Sequence, residues 1–207
     1  MDKYIIDDWI GKEDISNLSK KVITEKFNYF CGIKSQRVKE LKKIIEPDLY
    51  QNQSLVFRNK ENLNPLTEPL DKPIKMTLDF SLDSLLAISD WMTLKIAEYR
   101  NTVIIPDVVE QDMYLHVPEI WKSIASDISI YYFKVLEHNF NNNLSWCIQN
   151  ELVGGYHYPA ITGWDQLADY KDGIAFYILR EIFVLIMDGG KEDFLIKRLN
   201  FHIEDLL

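Results

Sequence analysis

Cysteine is nearly missing from this chain: only Cys31 and Cys147 occur, far apart, in 207 residues. That spacing excludes a CxxC redox motif, and two cysteines are too few for a zinc cluster or a disulfide scaffold. They read as unpaired buried thiols in a reducing compartment. Glycine is scarce as well, with eight residues and no GxGxxG, P-loop or GxSxG arrangement. The common nucleotide loops and the hydrolase elbow are therefore excluded. The four histidines, His116, His138, His157 and His202, form no HExxH and no i, i+4 pair. A zinc site and a Glu-x-x-His di-metal centre lose their usual signature, so no cofactor is expected. The histidines read as surface groups or hydrogen-bonded core groups.

Long apolar runs are also lacking. The longest, IAFYILREIFVLIM at 174–187, is broken by Arg180 and Glu181, and a bilayer span needs about 18–20 apolar residues. The N-terminal stretch MDKYIIDDWIGKED has acids around its apolar run, not the layout of a signal peptide. A soluble cytoplasmic protein is expected. No internal repeat, sustained heptad or low-complexity tract occurs.

What the chain does have is apolar mass and negative charge. Hydrophobic residues make up 47% and charged residues 27%, which places it among folded domains, not disordered chains. The net charge of −9 is unevenly spread. Residues 1–60 hold 12 Lys/Arg against 9 Asp/Glu, whereas residues 61–207 hold 11 against 23. Such an acidic part repels nucleic acid and anionic lipid and attracts basic proteins.

Helical spacing dominates. Ile15, Leu18, Val22, Phe27 and Phe30 predict a helix over 14–31 with Gly32 as its stop. A basic helix over 34–46 should end before Pro47. Pro65, Pro69 and Pro73 make 58–73 a Pro-rich loop, and the alternation in IKMTLDF (74–80) gives a strand or an extended arm across helices. Helices follow at 82–100, capped by Ser81, and at 119–138, with Pro118 at the first helical position. A short helix is expected at 144–153, ending at Gly154 and Gly155. Another is expected at 163–188, capped by Thr162, with Pro159 fixing the turn between the two. Gly189 and Gly190 lead into a last helix, 191–206. The sum is a mainly α, bundle-like domain of six to eight helices. Its parts are a basic N-terminal region (1–57), a Pro-rich loop and extended arm (58–80) and an acidic helical main body (81–207), within one compact unit.

Two acidic clusters stand out. Asp165, Asp169 and Asp172 fall at i, i+4 and i+7 of the helix expected there, on one face and without a lysine at i+4. Asp107, Glu110 and Asp112 lie beside Tyr114 and His116. The connection ELVGGYHYPAITGW (151–164) carries Tyr156, His157, Tyr158 and Trp164, an aromatic load that helix punctuation does not require. Solvated helix faces account for many acidic runs, but carboxylates interspersed with aromatics also suit a protein interface, the charges steering encounter and the rings anchoring it. Gly154-Gly155 follows a predicted helix with no basic residue near it, which argues against a phosphate cradle. The stretch KSQRVKELKKIIE (34–46) lacks interleaved aromatics in a protein of pI about 5.0. It reads as a solvated helix, or one docking on the protein's own acidic half, and not as a nucleic-acid site.

The expectation is a non-catalytic acidic binding protein that meets a basic protein partner. Its most specific form is a cytoplasmic inhibitor or immunity-type protein that neutralises a basic toxin or nuclease. The frequent Ile, Lys and Asn fit an A/T-rich bacterial genome. Two alternatives remain: an enzyme of unfamiliar helical fold with a site near His157 and Asp165–Asp172, and a scaffold or regulatory subunit.

Overall fold

The computed structural model describes residues 19–51, 77–103, 117–140, 144–148, 159–163, 174–189 and 194–206. Among them are five helices: α1 (Lys20–Gln51), α2 (Leu82–Arg100), α3 (Glu119–Phe140), α4 (Ile174–Asp188) and α5 (Phe194–Leu206). Strands β1 (Ser145–Ile148) and β2 (Pro159–Thr162) form one antiparallel pair. The protein is mainly helical, as composition and spacing indicate, but the six to eight expected helices are not matched.

Two departures explain the count. First, the described parts of the helices expected at 14–31 and 34–46 belong to one continuous α1, which follows the Ser19 cap and passes through both Gly32 and Pro47; residues 14–18 lie outside the described residues. An internal glycine costs about 1 kcal/mol and an internal proline about 3 kcal/mol. Against that, Phe30, Val38, Leu41, Ile45 and Leu49 are all buried along α1, at about 1.5–3 kcal/mol for each large apolar side chain. Burial on both sides of each breaker outweighs the breaker.

Second, the helix expected at 144–153 contains β1 instead. Its residues pair Ser145 with Thr162, Trp146 with Ile161, Cys147 with Ala160 and Ile148 with Pro159. Four residues make too short a window for periodicity to separate strand from helix. Pro159 opens β2, the strand position that tolerates a missing N–H. Thr162 is consequently a paired strand residue and not a helix cap, and Gly163 follows it at φ 103. Of the helix expected at 163–188, the described part is α4.

Other expectations hold closely. Ser81 caps α2 by accepting from the Ser84 N–H at 3.1 Å. Pro118 stands one residue before α3, its carbonyl accepting from Trp121 and Lys122. Gly189 turns the chain after α4 at φ +69. The end of the expected arm crosses the helices: Leu78 is buried and donates its N–H to Glu46 Oε1 at 2.9 Å. Phe80 donates to the Tyr131 hydroxyl at 2.9 Å, and its carbonyl accepts from Asn139 Nδ2 at 2.9 Å. These bonds hold Phe80 in the left-handed region at φ 68, a conformation that costs a non-glycine residue about 1–2 kcal/mol.

The core centres on α3, which packs against α1, α2 and α4, while α2 also meets α4 and α5. Trp121, Ile124, Ile128, Tyr131, Tyr132, Val135 and Leu136 are all buried along α3. A helix buried around most of its circumference must be the centre of its domain. On α4, Ile178, Leu179, Ile182, Phe183, Leu185 and Ile186 bury one broad face, while Arg180 is exposed. Leu195, Leu199 and His202 form the inner stripe of α5. Trp146 on β1 packs 5.1 Å from both the Phe30 and Phe133 rings, which ties the sheet to α1 and α3.

Candidate functional site

The site is positioned by a buried ion pair. Arg37 comes from the basic stretch of α1 but shares the side of its buried residues, and it is itself 5% exposed. It reaches across to α3, where Nε donates to Asp127 Oδ1 and Nη2 to Asp127 Oδ2, both at 2.7 Å. Nη2 also donates to Ser123 Oγ at 2.8 Å. Burial pushes the Asp127 carboxyl well above the usual carboxylate range; the guanidinium, bonded to both oxygens, works the other way and makes a buried carboxylate tolerable. The basic helix thus docks on the protein's own acidic half through Arg37. Its function here is to fix α1 against α3.

With α1 seated, an open cleft of about 570 Å³ forms where its last turns meet the end of α2 and the start of α3. Ile44 and Asp48 come from α1, Lys95, Glu98, Tyr99 and Thr102 from or just after α2, and Ile120 and Trp121 from α3. Trp121 is buried and lies 6.3 Å from the Trp91 ring, so the floor is aromatic and rigid. Asp48 Oδ2 accepts from Trp91 Nε1 at 3.0 Å and pairs with Lys95 Nζ at 3.1 Å. Lys95 also donates to Glu98 Oε2 at 2.9 Å. Burial works against the lysine's charge, but its bonds to Glu98 and Asp48 outweigh that and hold it above the ordinary lysine range. The cleft therefore carries two carboxylates against one fixed cation. Glu98 is its outermost charge, with 54% of the side chain exposed. The C-terminal ends of α1 and α2 add partial negative charge, which the N-terminus of α3 offsets in part. An apolar floor under a net negative rim accommodates the stem and head of a lysine or arginine side chain.

A second cleft, of about 360 Å³, opens on the other side of α1 and is lined mainly by lysines.

Asp107, Glu110, Asp112, Tyr114, Tyr156, His157, Tyr158, Trp164, Asp165, Asp169 and Asp172, the residues singled out in the sequence, lie outside the described residues. So do His116, Gly154, Gly155 and Gly190. Of the remaining histidines, His138 is exposed and His202 is buried with Nδ1 2.6 Å from the Tyr132 hydroxyl. Cys31 and Cys147 are half-buried and are not joined in a disulfide. Sequence reasoning missed Asp48, Lys95, Glu98, Tyr99 and the Arg37–Asp127 pair. One signal was present: Asp127 is a lone acid between apolar turns of the most apolar part of 119–138, a position that demands a partner.

No family model, curated protein or solved structure matches the chain. Among the described residues, no helix is long and apolar enough to cross a membrane.

Proposed function

We propose that this is a non-catalytic helical binding protein whose acidic side receives a basic protein. Its most specific form is an inhibitor or immunity-type protein that neutralises a basic toxin or nuclease in the cytoplasm. The observation that carries the reading is the cleft at the ends of α1 and α2, whose carboxylates Asp48 and Glu98 stand over a floor of Ile44, Ile120 and Trp121. A cationic side chain of the partner lies across it, its stem on the apolar floor and its head against Glu98 and the Tyr99 ring. The charge of the chain supports the same reading, since residues 61–207 hold 23 Asp/Glu against 11 Lys/Arg. A surplus of that size steers a basic partner over distances comparable to the Debye length, about 8–10 Å at ordinary salt. The acids and aromatics at 107–114 and 156–172, read from the sequence, are proposed as further contacts with the same partner.

Co-expression with the product of the adjacent gene, followed by size-exclusion chromatography at low and moderate salt, tests the proposal. A stoichiometric complex with a basic protein supports it, and Glu98→Lys should then weaken that complex at least about tenfold by reversing a rim charge. Absence of a complex at both salt concentrations sinks it.

A further inference from the structure

The lysine-lined cleft lies between α1 and α3 and is separate from the acidic one. Lys34, Val38 and Lys42 stand at i, i+4 and i+8, on one face of α1. Ile44, which lines the acidic cleft, is rotated about 200° from Lys42 around the helix axis. Lys39 on α1 and Lys134 on α3 complete the ring of ammonium groups, and Ser35 supplies a hydroxyl. Val38, buried, and Phe80, half-buried, give the cleft an apolar wall.

Four ammonium groups around about 360 Å³ repel one another, and the acids nearby answer only part of that charge. Glu137 pairs with Lys134. Asp79 is held below the ordinary carboxylate range first by the hydrogen bond from Ser81, with a smaller contribution from the Lys42 charge. Glu40 pairs with Lys43, outside the cleft, and Glu46, one turn beyond Lys42, accepts from the Leu78 N–H. Lys34 and Lys42 rest instead over rings, 5.7 Å from the Trp146 centroid and 4.6 Å from that of Phe80. A ring stabilises an ammonium only weakly, by about 0.5–1 kcal/mol at exposed sites. Both groups thus face the cleft with most of their attraction for an anion unspent.

We propose that this cleft binds a small organic ligand with two or more phosphate groups, its apolar body lying on Val38 and Phe80. Four lysines against Glu137 and Asp79 leave an excess of two positive charges, which suits a diphosphate better than a single carboxylate. Lysine is a compact point charge that takes a polyanion without the bidentate geometry an arginine imposes. The volume is that of a nucleotide-sized ligand. The hydroxyl of Ser35 donates to a phosphate oxygen.

Isothermal titration of the full chain with ADP, with sodium pyrophosphate and with poly-glutamate, at about 0.1 M salt, tests this. Pyrophosphate should bind, and ADP should bind more tightly because it adds the apolar contact. The double variant Lys39→Gln/Lys42→Gln, which removes both charges and keeps part of each stem, should weaken ADP at least tenfold. Lys39→Arg/Lys42→Arg should retain binding to within about threefold, which separates charge from damage to the fold. Glu98→Lys should leave ADP binding unchanged, so the outcome is independent of the basic-partner reading. Absence of ADP and pyrophosphate binding at millimolar concentration overturns the proposal, as does undiminished binding by the Gln variant. Poly-glutamate binding without ADP binding also overturns it, in favour of an acidic polypeptide.

Discussion

Gly32 and Gly189 have opposite requirements. Gly32 is helical and exposed, and a Cβ built there meets nothing within 4 Å. Gly32→Ala should therefore stabilise the protein by about 0.5–1 kcal/mol, read as a higher urea midpoint. Gly189 sits at φ +69, where a Cβ would come within 1.6 Å of Arg100 Nη1. That guanidinium donates to the Leu185 and Met187 carbonyls at 3.5 and 3.3 Å and so caps the C-terminus of α4. Gly189→Ala should cost about 1–2 kcal/mol through the left-handed strain, and more if Arg100 is displaced. Tyr131 provides a pH signature. Burial raises its hydroxyl from 10.0 to about 12, partly offset by the hydrogen bonds with Ser84 and Phe80. The folded state keeps this proton where the unfolded state has lost it, so stability falls as pH rises from about 10 towards about 12. Urea midpoints across that interval should fall less steeply for Tyr131→Phe than for the parent; parallel slopes would remove Tyr131 as the cause.

At the scale of elements, the Arg37–Asp127 pair decides whether α1 belongs to the core. Removing one partner strands a buried charge, so Arg37→Met or Asp127→Asn should each cost about 3–5 kcal/mol. Arg37→Met combined with Asp127→Leu replaces both with apolar groups and should recover most of the loss. A double variant as unstable as the sum of the singles would show that the two residues act independently. Trp121→Ala, at the base of the acidic cleft, should cost about 3–5 kcal/mol in the same assay. The sequence made α2 and α3 legible because each combines a sustained apolar period with a start signal, Ser81 and Pro118. It misled at α1, where Gly32 and Pro47 are local signals and the buried stripe from Phe30 to Leu49 is a tertiary one. It misled again at β1, because Trp146 and Cys147 become strand residues only through pairing with β2, which lies beyond any local window. The acidic cleft was illegible for a related reason. Asp48 and Lys95 are far apart in the chain, and only the seating of α1 brings them to 3.1 Å.

For the molecule as a whole, charge asymmetry is the property from which its proposed function follows. The net −9 lies entirely in the part after residue 60, and the positive part spends Arg37 on internal docking. Asp165→Asn, Asp169→Asn and Asp172→Asn together should slow association with a basic partner and flatten its salt dependence while leaving the fold intact, as seen by circular dichroism. Unchanged kinetics would place the interface elsewhere. Capture of a basic protein by this acidic surface is read in the association rate with the adjacent gene's product between about 50 and 500 mM salt. That rate should fall at least about tenfold over the range, with dissociation changing much less. A rate independent of salt, or no association at the lowest salt, would contradict it.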